Sequence, residues 1–126
     1  MKTSAKKILI IEDRKDILAE LIEYFTENGY AVMAAKNNLD AFKLLKTKLP
    51  DLVITETAMP GIDGFQFLKN FRKLPGTAFI PVIFLSTKID GTMLKKILFY
   101  NVNNYLKIPF RITVLNRMVQ ELLTMN

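Results

Sequence analysis

Four short stretches hold the residues able to do chemistry: Glu12-Asp13, Thr55-Glu56, Ser86-Thr87 and Lys107-Ile108-Pro109. Glu12, Asp13 and Glu56 are carboxylates, and carboxylates that converge raise one another's pKa unless a cation sits among them. Magnesium favours such a setting, taking a few carboxylate oxygens and filling its other positions with water. The sequence has no cysteine and no histidine. Disulfides, thiolate sites, a Ser-His-Asp triad, a Cys-His dyad and a zinc hydrolase are therefore excluded. Each residue also has a plain structural use: Asp13 can cap a helix, Glu12 can be a solvated loop charge, and Glu56 can sit in a turn. What favours a shared pocket is that they stand at the ends of different predicted strands.

Those strands follow from the apolar pattern. Ile8–Ile11 is continuously apolar, as in a strand buried on both faces. Tyr30–Ala34, Leu52–Thr55, Phe79–Leu85 and Asn104–Lys107 are the other strand candidates. Helical stripes lie between them. Asp13 is the expected cap of a helix carrying Ile17, Leu18, Leu21, Ile22 and Phe25, and Asn28-Gly29 ends it. Asn37 or Asn38 caps a second, with Ala41, Phe42, Leu45 and Leu49, that runs up to Pro50. The turn Met59-Pro60-Gly61-Ile62-Asp63-Gly64 leads to a third, with Phe65, Leu68 and Phe71, closed by Pro75-Gly76. Asp90–Tyr100 presents Met93, Ile97 and Tyr100 on one face, and Arg111–Thr124 carries Ile112, Leu115, Val119 and Leu122. Alternating strands and helices imply βαβ units in an open, doubly wound α/β fold, a parallel sheet with helices on both faces. Its ligand crevice lies at the carboxyl ends of the strands, where the four stretches fall.

At 126 residues the chain is one domain's worth, read as a single domain over 1–126. Half of the residues are hydrophobic, yet no apolar run nears the roughly 20 residues of a membrane span. The basic start, Met1–Lys7, precedes an apolar stretch too short for a signal peptide. The expected location is the cytoplasm, with no membrane contact. The net charge of +6 is spread over the whole chain without interleaved aromatics, which describes a solvated basic shell better than a nucleic-acid surface.

The motifs resemble the receiver domain of bacterial two-component response regulators. The matching pieces are Ile8–Asp13, Pro50–Ile54, Met59–Gly64, Pro81–Ser86, and Asn104-Tyr105-Leu106 followed by Pro109-Phe110. The resemblance implies a flavodoxin-like (βα)5 three-layer sandwich with sheet order 2-1-3-4-5. It also implies a chemistry. A histidine kinase or phosphorelay protein passes a phosphoryl group to an aspartate ending the third strand. Mg2+ is held by that aspartate, by an acidic residue of the first-strand pair, and by a backbone carbonyl two residues past the acceptor. A Ser or Thr and a Lys bond the phosphoryl oxygens, and an aromatic residue on the fifth strand follows the hydroxyl inward.

Carried over, Glu12 and Asp13 fill the acidic pair, Ser86 the hydroxyl position, Tyr105 the aromatic switch, and Ala58 offers the carbonyl. Two positions depart. The acceptor position is Glu56, one methylene longer than Asp, and a misplacement of about 1 Å can cost about a hundredfold in rate. Its extra reach also lets it imitate a phosphorylated aspartate. The lysine position is Ile108, which removes the cation that phosphoryl transfer depends on. Lys107 faces the other way on a regular strand and substitutes only if a one-residue bulge turns it inward. The Ile108-Pro109 peptide is a candidate cis bond. The reading is therefore a pseudo-receiver: not an enzyme, with Mg2+ binding weakened or absent, acting through a partner surface over about 91–124, the fourth helix, fifth strand and fifth helix. Lys95, Lys96, Lys107, Arg111 and Arg117 make this half basic, which favours an acidic partner. A second copy of the chain is another occupant of the same face. With no sequence beyond the last helix, no output domain is expected within these residues.

Three other readings stay open. In one, Glu56 does accept phosphate in a Mg2+-dependent reaction. A flavin- or nucleotide-binding protein of the same architecture would need a phosphate-cradling loop after the first strand, where Glu12–Asp16 offers carboxylates and no glycine. A nucleic-acid module rests on charge alone and would show steep salt dependence.

Overall fold

The computed structural model describes residues 4–124. Residues 1–3 and 125–126, at the two ends of the predicted single domain, lie outside the described residues. β1 (Lys7–Ile11), β2 (Ala31–Ala35), β3 (Leu52–Glu56), β4 (Val82–Ser86) and β5 (Tyr105–Lys107) form one five-stranded sheet. Its order is β2-β1-β3-β4-β5, every neighbour parallel. This is the doubly wound, flavodoxin-like order expected from the sequence. A small antiparallel ladder, Ala58–Met59 against Ile62–Asp63, is built into the breaker-rich turn after β3.

Alternation along each strand divides the core into two layers. Ile8, Ile10, Leu52, Ile54, Ile83 and Leu85 pack under α1 (Lys15–Glu27) and α5 (Ile112–Thr124), against Leu21, Phe25, Leu115 and Val119. Leu9, Ile11, Val53 and Phe84 pack under α2 (Asn38–Leu45), α3 (Gly64–Phe71) and α4 (Gly91–Phe99), against Ala41, Phe67, Phe71 and Ile97. Phe67 and Phe71 stack at 5.3 Å, and Phe65 meets Phe84 edge-on at 4.9 Å. Among the described residues, no helix is long and apolar enough to cross a membrane.

Three sequence expectations need correction, and the regular course expected of β5 is observed. Asp13 does not cap α1. Arg14 occupies the N-cap, and the Glu12 carboxylate, reaching forward, accepts from the Arg14 N–H at 3.0 Å. Asp13 is left exposed. Helix α2 stops at Leu45 rather than running up to Pro50. The Lys46 and Thr47 N–H groups bond back only three residues, to Lys43 and Leu44. That tightening ends the helix, and Leu49 packs from the following loop. Strand β4 begins at Val82, three residues later than expected. Pro81 has no N–H for the ladder, although its carbonyl accepts from Val53 at 3.0 Å, and Phe79 before it is 92% exposed. Finally, β5 holds its register without a bulge: Phe84↔Tyr105, Leu85↔Leu106 and Ser86↔Lys107 run in step. The Ile108 N–H then donates to the Ser86 carbonyl at 2.7 Å. Lys107 stays exposed, and no insertion turns it inward.

The predicted stop after α1 is present, with Gly29 at φ +91°. Gly64 has a different necessity. It opens α3 directly against the end of β3, and a Cβ there would lie 2.9 Å from the Glu56 carbonyl oxygen and 3.1 Å from the Thr57 Cα. Both neighbours are backbone and cannot rotate away. We expect Gly64→Ala to destabilise the fold by about 1–3 kcal/mol. Urea unfolding measures this, and an unchanged midpoint would contradict so tight an approach.

Candidate functional site

The sheet delivers its strand ends to one rim. Glu12 follows β1 directly, and its N–H donates to the Ala35 carbonyl at 3.0 Å, so the ladder holds it in place. Glu56 is the last residue of β3, in register with Leu85 of β4. Thr57 continues that ladder, its N–H donating to Leu85 at 2.9 Å, while its carbonyl accepts from Gly64 at 2.8 Å. Asp63 fixes the start of α3 by accepting from the Phe65 and Gln66 N–H groups, both at 3.1 Å. The backbone on both sides of Glu56 is thereby immobilised.

Both acidic side chains are enclosed: Glu12 is 0% exposed and Glu56 1%. Glu12 Oε2 has the Arg14 N–H as partner, but Glu12 Oε1 and Glu56 Oε2 are buried with none. Burial, then the Glu12 charge, pushes the Glu56 carboxyl up from 4.5 to about 7, with Arg14 and nearby backbone amides acting the other way. Two unpartnered buried oxygens fit two occupants, a proton held by Glu56 or a hard cation. For a cation the donors here would be Glu12, Glu56 and the Ala58 carbonyl, an all-oxygen set of the kind Mg2+ accepts. Asp13 sits on the exposed loop, and among the described residues no three carboxylates group closely enough to hold a metal ion. The expected convergence of three is thus a pair plus an outlying Asp13.

The remaining predicted residues are placed as follows. Ser86 is 4% exposed, but its hydroxyl is already engaged, donating to the Lys88 carbonyl at 2.8 Å and accepting from the Lys88 N–H at 3.3 Å. Tyr105 is 38% exposed on β5. Ile108 packs into the α1–α5 layer, beside Ile17, Leu21 and Ile112, and the Ile108-Pro109 peptide is cis. Sequence reasoning missed Arg14, whose charge acts on Glu56, and Thr57, whose Oγ1 is buried without a partner. It also missed Lys88 and Lys96, which line a recess with Glu56 and Ser86. A signal for Lys96 existed. It stands three residues after Met93 and four before Tyr100, on the flank of the inward stripe.

Comparison with known proteins gives consistent results. The family model described as "Response regulator receiver domain" matches residues 8–120. "Probable transcriptional regulator ycf29" of Porphyra purpurea is 36% identical over 105 residues, 82% of this chain and 49% of that protein. Protein PilH of Pseudomonas aeruginosa is 34% identical over 86 residues, 68% of this chain and 71% of that one. The chain thus spans about half the length of the Porphyra relative. The crystal structure of a signal receiver domain of a signal transduction histidine kinase from Syntrophus aciditrophicus superposes with a TM-score of 0.87 at 29% identity, covering 95% of this chain and 91% of that one.

The buried pair makes stability depend on pH. A carboxyl whose folded pKa lies above its unfolded value keeps its proton preferentially in the folded state. Its stabilising effect is full below about 4.5 and is lost as pH rises through about 7. We expect Glu56→Gln to stabilise the protein by about 2–3 kcal/mol at pH 8 and to flatten stability between about pH 4.5 and 7. Equal pH dependence of wild type and variant in urea titrations would show that Glu56 is not the titrating group.

Proposed function

Since the chain belongs to the response regulator receiver family, we propose that it is a two-component signalling switch that works by binding, without accepting phosphate. Receiver domains interact with histidine kinases and downstream effectors, and they bind Mg2+ when active. The observation that carries the reading is the placement of Ile108. The position that should present a cation to a phosphoryl group is an aliphatic side chain packed against Ile17, Leu21 and Ile112. Lys107 beside it is paired in register with Ser86 and exposed. A transferring phosphoryl group would therefore develop its charge without the lysine that neutralises it. Glu56, with a methylene more than Asp, stands in for the modified acceptor in its ionised form, above about pH 7, and Mg2+ binding is weakened by the outlying Asp13.

The output surface in this reading runs over α4, β5 and α5. Five of the seven large hydrophobics exposed among the described residues lie there: Leu94, Leu98, Phe99, Tyr105 and Val114. Lys95, Lys107, Arg111 and Arg117 are exposed around them. An apolar patch with a basic rim suits a partner that offers apolar anchors and an acidic border. The proposed setting is the cytoplasm, with a kinase, a downstream protein or a second copy of the chain on this face. The second reading, an active phospho-receiver, is favoured by one feature: the unpartnered oxygens of Glu12 and Glu56 suit a Mg2+ ion.

Incubation with Mg2+ and acetyl phosphate, followed by intact-mass analysis, separates the two. We expect no adduct on the protein and one phosphoryl adduct on Glu56→Asp/Ile108→Lys. An adduct on the unaltered chain that disappears in Glu56→Gln would make Glu56 an acceptor and overturn the binding-only reading.

A further inference from the structure

The amino-terminal end of the sheet, opposite Glu56, carries an arrangement that the receiver chemistry does not use. A recess of about 610 Å³ opens there between α3 and the loop entering β5, within the range of ligand sites. Leu68, Lys69 and Arg72 line it from the α3 side, Ala78–Pro81 from the loop before β4, and Asn101–Asn104 from the loop before β5. A second recess, of about 520 Å³, shares Ala78 and Phe79–Pro81 and lies toward Leu49–Asp51. Phe79 belongs to both linings. At 92% it is the most exposed large hydrophobic among the described residues.

A lone exposed phenylalanine is ordinary on a protein surface. This one is rigidly mounted. It sits in the Thr77–Ile80 turn, closed by the Ile80 N–H donating to the Thr77 carbonyl at 3.1 Å. Thr77 is fully buried, its hydroxyl shared between the Phe71 and Leu74 carbonyls, 2.8 Å from each. Beyond the turn, the Pro81 carbonyl accepts from the Val53 N–H at 3.0 Å. The Arg72 guanidinium is fixed at the same turn. Its Nη1 donates to the Thr77 carbonyl, and its Cζ stands 5.6 Å from the centre of the Phe71 ring. Lys69 lies three residues earlier, on the same side of α3. The one ion pair among the described residues is Lys88–Asp90, so neither cation has a carboxylate partner. Asp51, at the second recess, is already engaged, accepting from the Lys7 N–H at 2.7 Å. A guanidinium held in place loses little freedom on meeting a carboxylate, and its remaining N–H groups are free to donate.

We infer that this end of the sheet docks an extended acidic segment of a partner protein, with a carboxylate on Arg72 and Lys69 and a neighbouring apolar side chain packed between Phe79 and the buried floor of Leu68 and Val82. Charge complementarity selects this occupant. A second copy of the chain would bring another Lys69–Arg72 pair, and another net charge of +6, to the same interface. The two recesses also suit an extended chain, since they run across the amino ends of β3 and β4 on both sides of Phe79. This surface is separate from the α4-β5-α5 face and does not depend on whether Glu56 takes phosphate.

The test is selection of a random dodecapeptide library displayed on phage against the full chain, with counter-selection on Phe79→Ser, followed by a 15N–1H NMR titration with the most enriched peptide. We expect enriched peptides to place Asp or Glu beside a large apolar residue and to shift the amides of Lys69–Lys73, Ala78–Ile80 and Asn101–Asn104. Phe79→Ser should weaken binding about tenfold, the equivalent of about 1.4 kcal/mol, and Lys69→Met about threefold, while Phe99→Ser on the α4 face leaves it unchanged. Because Phe79 and Lys69 are exposed, both variants should keep the wild-type urea midpoint. Peptides without a carboxylate, shifts confined to α4 and α5, or no enrichment over the counter-selected variant overturn the inference. So does a fall in the urea midpoint of Phe79→Ser, which would make Phe79 a structural residue. A dimer seen by sedimentation equilibrium and lost in Phe79→Ser would make a second copy the occupant and overturn it too.

Discussion

A parallel sheet covered on both faces ends all its strands on the same side, so whatever follows β1, β3 and β4 is gathered in one place. Here the covering is complete. Ile8, Leu9, Ile10, Leu52, Val53, Ile54 and Ile83 are all fully buried, and α1 and α5 on one face with α2, α3 and α4 on the other leave the central strands no access to water. The residues at the strand ends inherit that enclosure. Glu12 and Glu56 are carboxylates held where only apolar packing would be comfortable, each by a backbone that is itself part of the ladder. A sheet able to hold two unpartnered carboxylate oxygens must draw its stability from elsewhere, and the stacked phenylalanines of α3 and the aliphatic layers are where it is found.

The charge balance of the rim follows from the same constraint. Period-two alternation sends Leu106 and Ile108 into the α1–α5 layer and leaves Tyr105 and Lys107 exposed. Lys107 therefore points away from the layer that Ile108 enters, even though the two positions are adjacent. Positive charge reaches the rim from other directions: Arg14 from the start of α1, acting on Glu56, and Lys88 and Lys96 from the segment that includes α4. The rim thus keeps cations: Arg14 at the N-cap of α1, Lys88 on the loop before α4 and Lys96 on α4 itself.

α4 is shared between two regions of the molecule. Its inner stripe, Met93, Ile97 and Tyr100, packs on the sheet, while Leu94, Leu98 and Phe99 face outward. One helix thus borders both the rim beside Glu56 and the apolar, basic-rimmed surface.

Much of this was legible in the residues. Continuous apolar runs separated by helical stripes determined a doubly wound parallel sheet, because both periodicities are local and survive any packing. The Met59–Gly64 turn and the two departures, Glu56 and Ile108, were equally plain, since they are identities at positions of a motif. What the residues could not decide was where each group ends up relative to water and to its neighbours. Asp13 looked like a cap and is a solvated charge, because the helix starts one residue later than a cap at Asp13 requires and Arg14 takes the N-cap position. The Ser86 hydroxyl looked free and is closed onto Lys88. Lys96, forty residues from Glu56 in sequence, lines the same recess only because β3, β4 and α4 pack side by side. The sequence by itself determined the fold and the chemical identities at the strand ends. The tertiary structure alone decided which of those groups are buried, which are paired and which cations face them, because desolvation and charge–charge coupling depend on distances through space that no local pattern encodes.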